Sequence, residues 1–246
     1  MTSLVGKTAL VTGGSAGIGA AVAKQLASRG VRVAINYSSN RERAAKTLSQ
    51  LEGSGHILVQ GNAFDREGIE QLTTLETMKD LDIIISNAGW TAFGEFNDLG
   101  AVSDDDWMKC YQSNVMSHLW LSQACRETLE RTKGCIVISA SVAGIKPSGS
   151  SMMIELTAVS KAATIHLAKS LAKACAPNIR VNSVSAGVMM TDWSKGFDEE
   201  HIEKVIQSNS LRKLVNVEEA AMLYVALAEN GSMTVSFCVD TLTNGI

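Results

Sequence analysis

The sequence predicts an α/β fold: one doubly wound parallel sheet of about seven strands with helices on both faces. Short β-rich apolar runs alternate with longer helix-period segments from end to end. Those runs are nearly continuous in apolar residues, as strands covered on both faces require. No linker, low-complexity stretch or internal repeat divides the 246 residues, so 1–246 reads as a single domain.

Lys7–Thr12 opens the series as a buried strand, and Ile18–Arg29 follows with helical spacing. Val31–Asn36 and Ile57–Gln60 are the next strands, with the helix Arg41–Glu52 between them. The helix Glu67–Met78 leads into the strand Asp82–Ser86, and Asp104–Glu130 reads as one long helix. Strand Cys135–Ser139, helix Ala158–Ala174, strand Arg180–Ser185, helix Val217–Ala228 and strand Val235–Val239 complete the alternation. The irregular insert Val188–Ser210 follows the C-terminal end of a strand, where open α/β sheets place their ligands.

Apolar residues make up 46% of the chain, ample for a sizeable core. A net charge of −3 and the lack of any Lys/Arg-rich run argue against a nucleic-acid partner. Cys110, Cys125, Cys135, Cys175 and Cys238 are scattered without a Cys-x-x-Cys pair, so buried reduced thiols are expected. His56, His118, His166 and His201 are equally dispersed, which gives no metal-ligand spacing. Met1–Lys7 lacks the apolar core of a signal peptide, and no run reaches membrane-spanning length. The expectation is a soluble protein of a reducing compartment, most simply the cytosol.

Thr12-Gly13-Gly14-Ser15-Ala16-Gly17-Ile18-Gly19 comes directly after the first strand and opens the first helix. Glycines let the backbone turn tightly and approach a pyrophosphate, whose charge meets N–H groups at the helix start. Glycine also serves plain tight turns, but strand before and helix after make this a Rossmann-like dinucleotide site, held by Gly13, Ser15, Gly17, Ile18 and Gly19.

Further motifs sit at matching places. Asn87-Ala88-Gly89 follows the fourth strand, Asn114 lies in the long helix, Ser141 follows the fifth strand, and Lys161 stands in Ala-Val-Ser-Lys. With the spacing Thr-Gly-x-x-x-Gly-x-Gly, this ordered set resembles the short-chain dehydrogenase/reductase family from Lys7 to about Asp240. The resemblance implies a nicotinamide cofactor touched also by Asn87, Ala88, Gly89, Lys161, Gly187 and Thr191, the last on its carboxamide. It implies a small-molecule substrate and a homodimer or homotetramer, to which the small residues Ala158, Ala162, Ala163, Ala168 and Ala172 around Lys161 are suited; burial against the sheet would explain them equally.

NAD users in the family place an acidic residue at the end of the second strand, for the ribose hydroxyls. Here Asn36-Tyr37-Ser38-Ser39-Asn40-Arg41 has no carboxylate. Its hydroxyls and guanidinium suit a 2′-phosphate, so NADP(H) is expected. The alternative is a polar loop with Arg41 as a solvated helix residue. Asn62 and Ala63 stand where the family usually has Asp and an apolar residue beside the adenine.

The family's mechanism uses a Ser that orients the carbonyl, a Tyr that passes the proton, a Lys on the ribose and an Asn that anchors a relay water. Asn114, Ser141 and Lys161 match three of these. One helical turn before Lys161 stands Thr157, while the family's spacing from Ser141 lands on Ile154. Neither is tyrosine, and an insertion around Ile154-Glu155-Leu156 would account for the disagreement. The chain's three tyrosines, Tyr37, Tyr111 and Tyr224, lie in other elements, and Tyr111 reads as a packing residue. A phenol starts at a pKa of about 10 and can be drawn down by a cation. An aliphatic hydroxyl is a far weaker acid. Thr157, Glu155, Ser141 or water are therefore the candidate proton sources, with Ser139 a second candidate for the serine role.

The family's Pro-Gly is Ala186-Gly187 here, Met233-Thr234-Val235 lacks an expected Gly, and Asp240-Thr241-Leu242 lacks a glycine pair. Trp90, Phe93, Phe96, Met189, Met190, Trp193 and Phe197 would suit a bulky apolar substrate, or core packing. Three functions stay open. The chain is an NADP(H)-dependent oxidoreductase of altered mechanism on a largely apolar carbonyl- or imine-type metabolite, a non-redox enzyme (isomerase, cyclase or dehydratase), or a non-catalytic NADP(H)-binding protein.

Overall fold

The computed structural model describes residues 2–92, 98, 100–145, 154–235 and 237–239. For Thr77, Ile154, Glu155, Gly196, His201 and 237–239 the description is of the backbone alone. Phe93, Phe96 and Asp240–Leu242, singled out in the sequence, lie outside the described residues.

Residues with apolar side chains at successive positions form strands buried on both sides. β1 (Thr8–Val11), β2 (Arg32–Tyr37), β3 (Ile57–Gln60), β4 (Ile83–Ser86), β5 (Cys135–Ser139), β6 (Arg180–Ala186) and β7 (Phe237–Val239) make one sheet in the order β3-β2-β1-β4-β5-β6-β7. Every described pairing is parallel. The period of two divides each strand between two cores. Ala9, Val11, Ile83, Ile85, Cys135 and Val137 pack on one face, against α1 (Gly17–Ala27), α2 (Arg41–Leu48) and α9 (Val217–Glu229). Leu10, Ile84, Ile136 and Ile138 pack on the other. That face is covered by α3 (Arg66–Thr73), α5 (Ser117–Ala124), α6 (Arg126–Thr132) and α7 (Ile154–Cys175). The fold is the expected single-domain, Rossmann-like α/β architecture.

The long helix is where the structure departs from expectation. Instead of one helix over Asp104–Glu130, α4 (Asp104–Tyr111) passes through a π turn at Gln112–Met116 into α5, and Cys125 (φ −99°, ψ 3°) separates α5 from α6. A π turn adds a residue to one turn, and such bulges gather at functional sites; this one carries Asn114. The Glu67–Met78 segment likewise ends early, at Thr73, because Leu75 is extended before a 3-10 turn at Glu76–Met78. Insert 188–210 holds a 3-10 turn, Asp192–Gly196, and α8 (Glu199–Ser208). Val235, in the stretch that lacks a glycine, takes a φ of 150°, unusual for a β-branched residue. No helix among the described residues is long and apolar enough to cross a membrane. The four cysteines with described side chains are free and buried.

Candidate active site

Because the order reverses between β1 and β4, the connections after these strands diverge and open a crevice at their C-terminal ends. A cleft of about 540 Å³ occupies it, within the range of ligand sites. Thr12 ties the two strands together there: its hydroxyl oxygen accepts the N–H groups of Asn87 (2.9 Å) and Ala88 (3.1 Å).

The Gly-rich turn fits a dinucleotide. Ser15, Ala16, Gly17 and Ile18 line the cleft, and Ala16 stands at the N-cap of α1 with no side-chain cap, so the first N–H groups of the helix remain for an anion. Asn36 braces the turn from β2, accepting the Gly13 N–H at 3.2 Å and donating to Gly61 O at 2.9 Å. Gly19 does not line the cleft; it lies behind, where the turn and α1 come closest, and a Cβ there would stand 2.4 Å from Gly13 O.

Of the other expected cofactor residues, Asn36, Tyr37, Ser38, Asn62, Ala63, Asn87, Ala88, Gly89, Lys161, Gly187 and Thr191 line the cleft with Gly13. Ser39 and Arg41 do not. Arg43, unremarked in the sequence, does, and its guanidinium meets Asp192 of the insert at 3.5 Å. Asn62 spends its side-chain oxygen on the N–H of Phe64 and its amide on Asp65.

Asn114, Ser141, Thr157 and Lys161 all line the same cleft. Ser141 caps the 3-10 turn Val142–Gly144, its Oγ accepting the Ala143 N–H at 3.2 Å. Lys161 donates to Ser139 O at 2.7 Å. Burial pushes its ammonium down to about 8, against a smaller opposing pull from Cys110. Thr157 is buried, and its hydroxyl shares a 2.6 Å hydrogen bond with that of Thr91. Ile154–Leu156 form the first turn of α7, continuous with Thr157 and Lys161. The residues between Ile145 and Ile154 lie outside the description.

Several of the candidate residues are already engaged. Asn114 is engaged as a clamp: its Oδ1 accepts Trp90 N–H at 2.9 Å, and its amide donates to Trp90 O, Ser160 Oγ and Cys110 Sγ. Its backbone carbonyl takes the Thr164 hydroxyl at 2.6 Å. Ser139 also lines the cleft, its hydroxyl bonded to Tyr224 OH at 2.9 Å and Asn87 Oδ1 at 3.0 Å. Tyr224 is 1% exposed and burial pushes its phenol up to about 12. Tyr111, expected to pack, is 43% exposed. Of the apolar candidates, Trp90, Met189 and Trp193 line the cleft; Phe197 packs edge-on to Trp193, and Met190 is exposed.

Comparison with known proteins agrees with this geometry. Residues 7–202 match the family model for short chain dehydrogenase. Dehydrogenase/reductase SDR family member 4 of Oryctolagus cuniculus is 35% identical over 227 residues, covering 89% of this chain and 85% of that protein. The 3-oxoacyl-[acyl-carrier-protein] reductase FabG of Chlamydia trachomatis is 30% identical over 250 residues, 99% of this chain and 98% of that one. In three dimensions, the NADPH-dependent 3-quinuclidinone reductase of Rhodotorula rubra superposes with a TM-score of 0.87 at 26% identity, covering 97% of this chain and 91% of that one. Fold, motif order and site thus converge: the chain belongs to the short-chain dehydrogenase/reductase family of oxidoreductases.

Proposed function

We propose that this protein is an NADP(H)-dependent reductase of a small, largely apolar carbonyl- or imine-type metabolite, with proton delivery altered by the absence of the family's tyrosine. One observation carries the reading: a single cleft joins the phosphate-ready turn at Ser15–Ile18 to Ser141, Thr157 and Lys161. When bound, the reduced nicotinamide supplies hydride with its electron pair to the carbonyl carbon. Gly13, Ser15, Gly17 and Ile18 would hold its pyrophosphate, Lys161 its ribose, and Thr191 its carboxamide. The Ser141 O–H can donate to the substrate oxygen and orient it, while Trp90, Met189 and Trp193 present apolar surface to the rest. Oxidation of NADPH in the presence of a panel of ketones and imines tests the reading; bound but unconsumed NADPH across the panel would favour a non-redox or non-catalytic role. Exposed Met108, Tyr111 and Val159 on the neighbouring helices α4 and α7 support a homo-oligomer, whereas Ala168 and Ala172 of α7 are buried against the sheet.

Support for the 2′-phosphate comes from Arg43 and Ser38, which face the cleft with no carboxylate at the end of β2. The Arg43–Asp192 pair is about half exposed on both sides, hence weak in water, and a phosphate competes with it readily. Arg43→Ala is expected to weaken NADPH binding about 10- to 100-fold, the worth of a charge-assisted hydrogen bond, with NADH binding little changed. Quenching of Trp90 and Trp193 fluorescence reports both constants. Equal weakening of the two would refute the preference.

A further inference from the structure

With no tyrosine beside it, Lys161 is left with donor capacity that the family's mechanism directs elsewhere. We propose that Lys161 is itself the general acid, passing its proton directly to the substrate oxygen held by Ser141. This rests on the reductase reading above.

Among the described residues, the titratable side chains that line the cleft are Tyr37, Arg43, Lys161, Asp192 and Tyr224. Arg43 and Asp192 pair with one another across the mouth, and Tyr37 lies at the end of β2, on the cofactor side. Tyr224 is bound to Ser139 and holds its proton too tightly to release it near neutrality. Thr157 lies one helical turn from Lys161, but its hydroxyl is shared with Thr91 and is a weak acid. Lys161 remains. One of its N–H bonds is anchored on Ser139 O, which aims the ammonium, and it stands 3.8 Å from where a Cβ on Gly89 would be, beside the turn that follows β4.

Its surroundings poise it. Among the described residues, Cys110 of α4 and His118 of α5 are the titratable groups that act on or feel its charge, and Tyr224 of α9 reaches it through Ser139. The Cys110 thiol is raised by burial, and His118, bonded to Ser86 at 2.6 Å, is pushed down to about 3 and stays neutral. No carboxylate pairs with Lys161 among the described ion pairs. Desolvation with no counter-charge makes an ammonium more acidic, and a donor titrating near the working pH is the best placed to give up a proton and regain it.

The step balances. When bound, the reduced nicotinamide would supply hydride and its electron pair to the carbonyl carbon and be oxidised by two electrons. An N–H bond of Lys161 breaks, an O–H bond forms on the substrate oxygen, and the N–H electron pair stays on nitrogen. The alcohol departs, and the amine is reprotonated from water.

The test begins with a reading that needs no turnover: the ε-carbon resonance of Lys161, assigned by its loss in Lys161→Arg, followed against pH. Titration near pH 8 is expected; titration at pH 10 or above overturns the proposal. In wild-type enzyme, reduction should be flat below pH 7 and fall tenfold per unit above about 8, as the ammonium is lost. Lys161→Arg keeps the charge but cannot release a proton, so NADPH affinity should hold within about threefold while turnover falls roughly 100-fold or more and the alkaline limb disappears. Lys161→Ala should be rescued by small alkylamines in order of their acidity. Thr157→Val should keep the alkaline limb whatever its rate; loss of the limb would make Thr157 the donor and end the proposal. A Lys161→Arg enzyme as fast as wild type overturns the proposal and leaves the reductase reading intact. A protein that oxidises no NADPH with any carbonyl, while Lys161 titrates near 8, overturns the reductase reading and the proposal with it.

Discussion

Gly19→Ala is expected to weaken NADP(H) binding about 100-fold or more, the worth of two charge-assisted hydrogen bonds to phosphate. The added methyl would lie 2.4 Å from Gly13 O, 3.0 Å from Gly13 C and 2.7 Å from the Asn87 amide. None of these can swing aside. Gly13 is backbone, held by the Asn36 side chain, and the Asn87 amide is bonded to Thr12 O at 3.1 Å. Relief has to come from sliding α1 away from the turn, which pulls apart the N–H groups that would converge on the pyrophosphate. Overpacking of this kind also costs about 1–3 kcal/mol of stability. Fluorescence titration with NADPH alongside thermal melting separates the two effects. Undiminished binding would show that the pyrophosphate does not rest on this turn.

The arrangement behind Gly19 was legible in the sequence because it is local: strand, glycines and helix follow one another without a gap. The strands were legible for a related reason, since burial on both faces leaves an unbroken apolar run such as Ile83–Ser86. The π turn at Asn114 was not. Its extra residue depends on a clamp between Asn114 and Trp90, 24 residues apart, and on the Thr164 hydroxyl from α7. Helical periodicity alone reads straight through it.

Arg41 and Arg43 show how one local signal can redirect another. Nearness to the strand end pointed to Arg41 for the phosphate. Asn40, however, caps α2 through the Arg43 N–H at 2.8 Å and so starts the helix at Arg41. Two residues of α-helix turn the side-chain direction by about 200°, so only one of the two arginines can face the cleft. The capping rule, applied to Asn40, carried that information. Tyr224 and Ser139, 85 residues apart, meet only because α9 lies over β5, and no local pattern announces their hydrogen bond.

Gly144→Ala is expected to separate chemistry from binding. The 3-10 turn at Val142–Gly144, capped by Ser141, packs directly on α7, and a Cβ at Gly144 would lie 2.5 Å from Lys161 C, 2.6 Å from Ala162 N and 2.8 Å from Lys161 O. All three are backbone atoms within a 22-residue helix, so the turn rather than the helix must yield. Ser141 moves with it, away from Lys161. A misplacement of about 1 Å between groups that must act on one atom can cost roughly 100-fold in rate, so kcat for carbonyl reduction should fall by about that factor. The pyrophosphate turn, on the far side of β4 from Ser141, is untouched, and the NADPH Kd should stay within about threefold, a difference well under 1 kcal/mol. Gly19→Ala and Gly144→Ala thus divide the cleft between them, the first removing affinity and the second turnover. If Gly144→Ala leaves kcat unchanged while its structure shows Ser141 displaced, the substrate oxygen is not held by Ser141, and the proton path from Lys161 has to be redrawn around another acceptor.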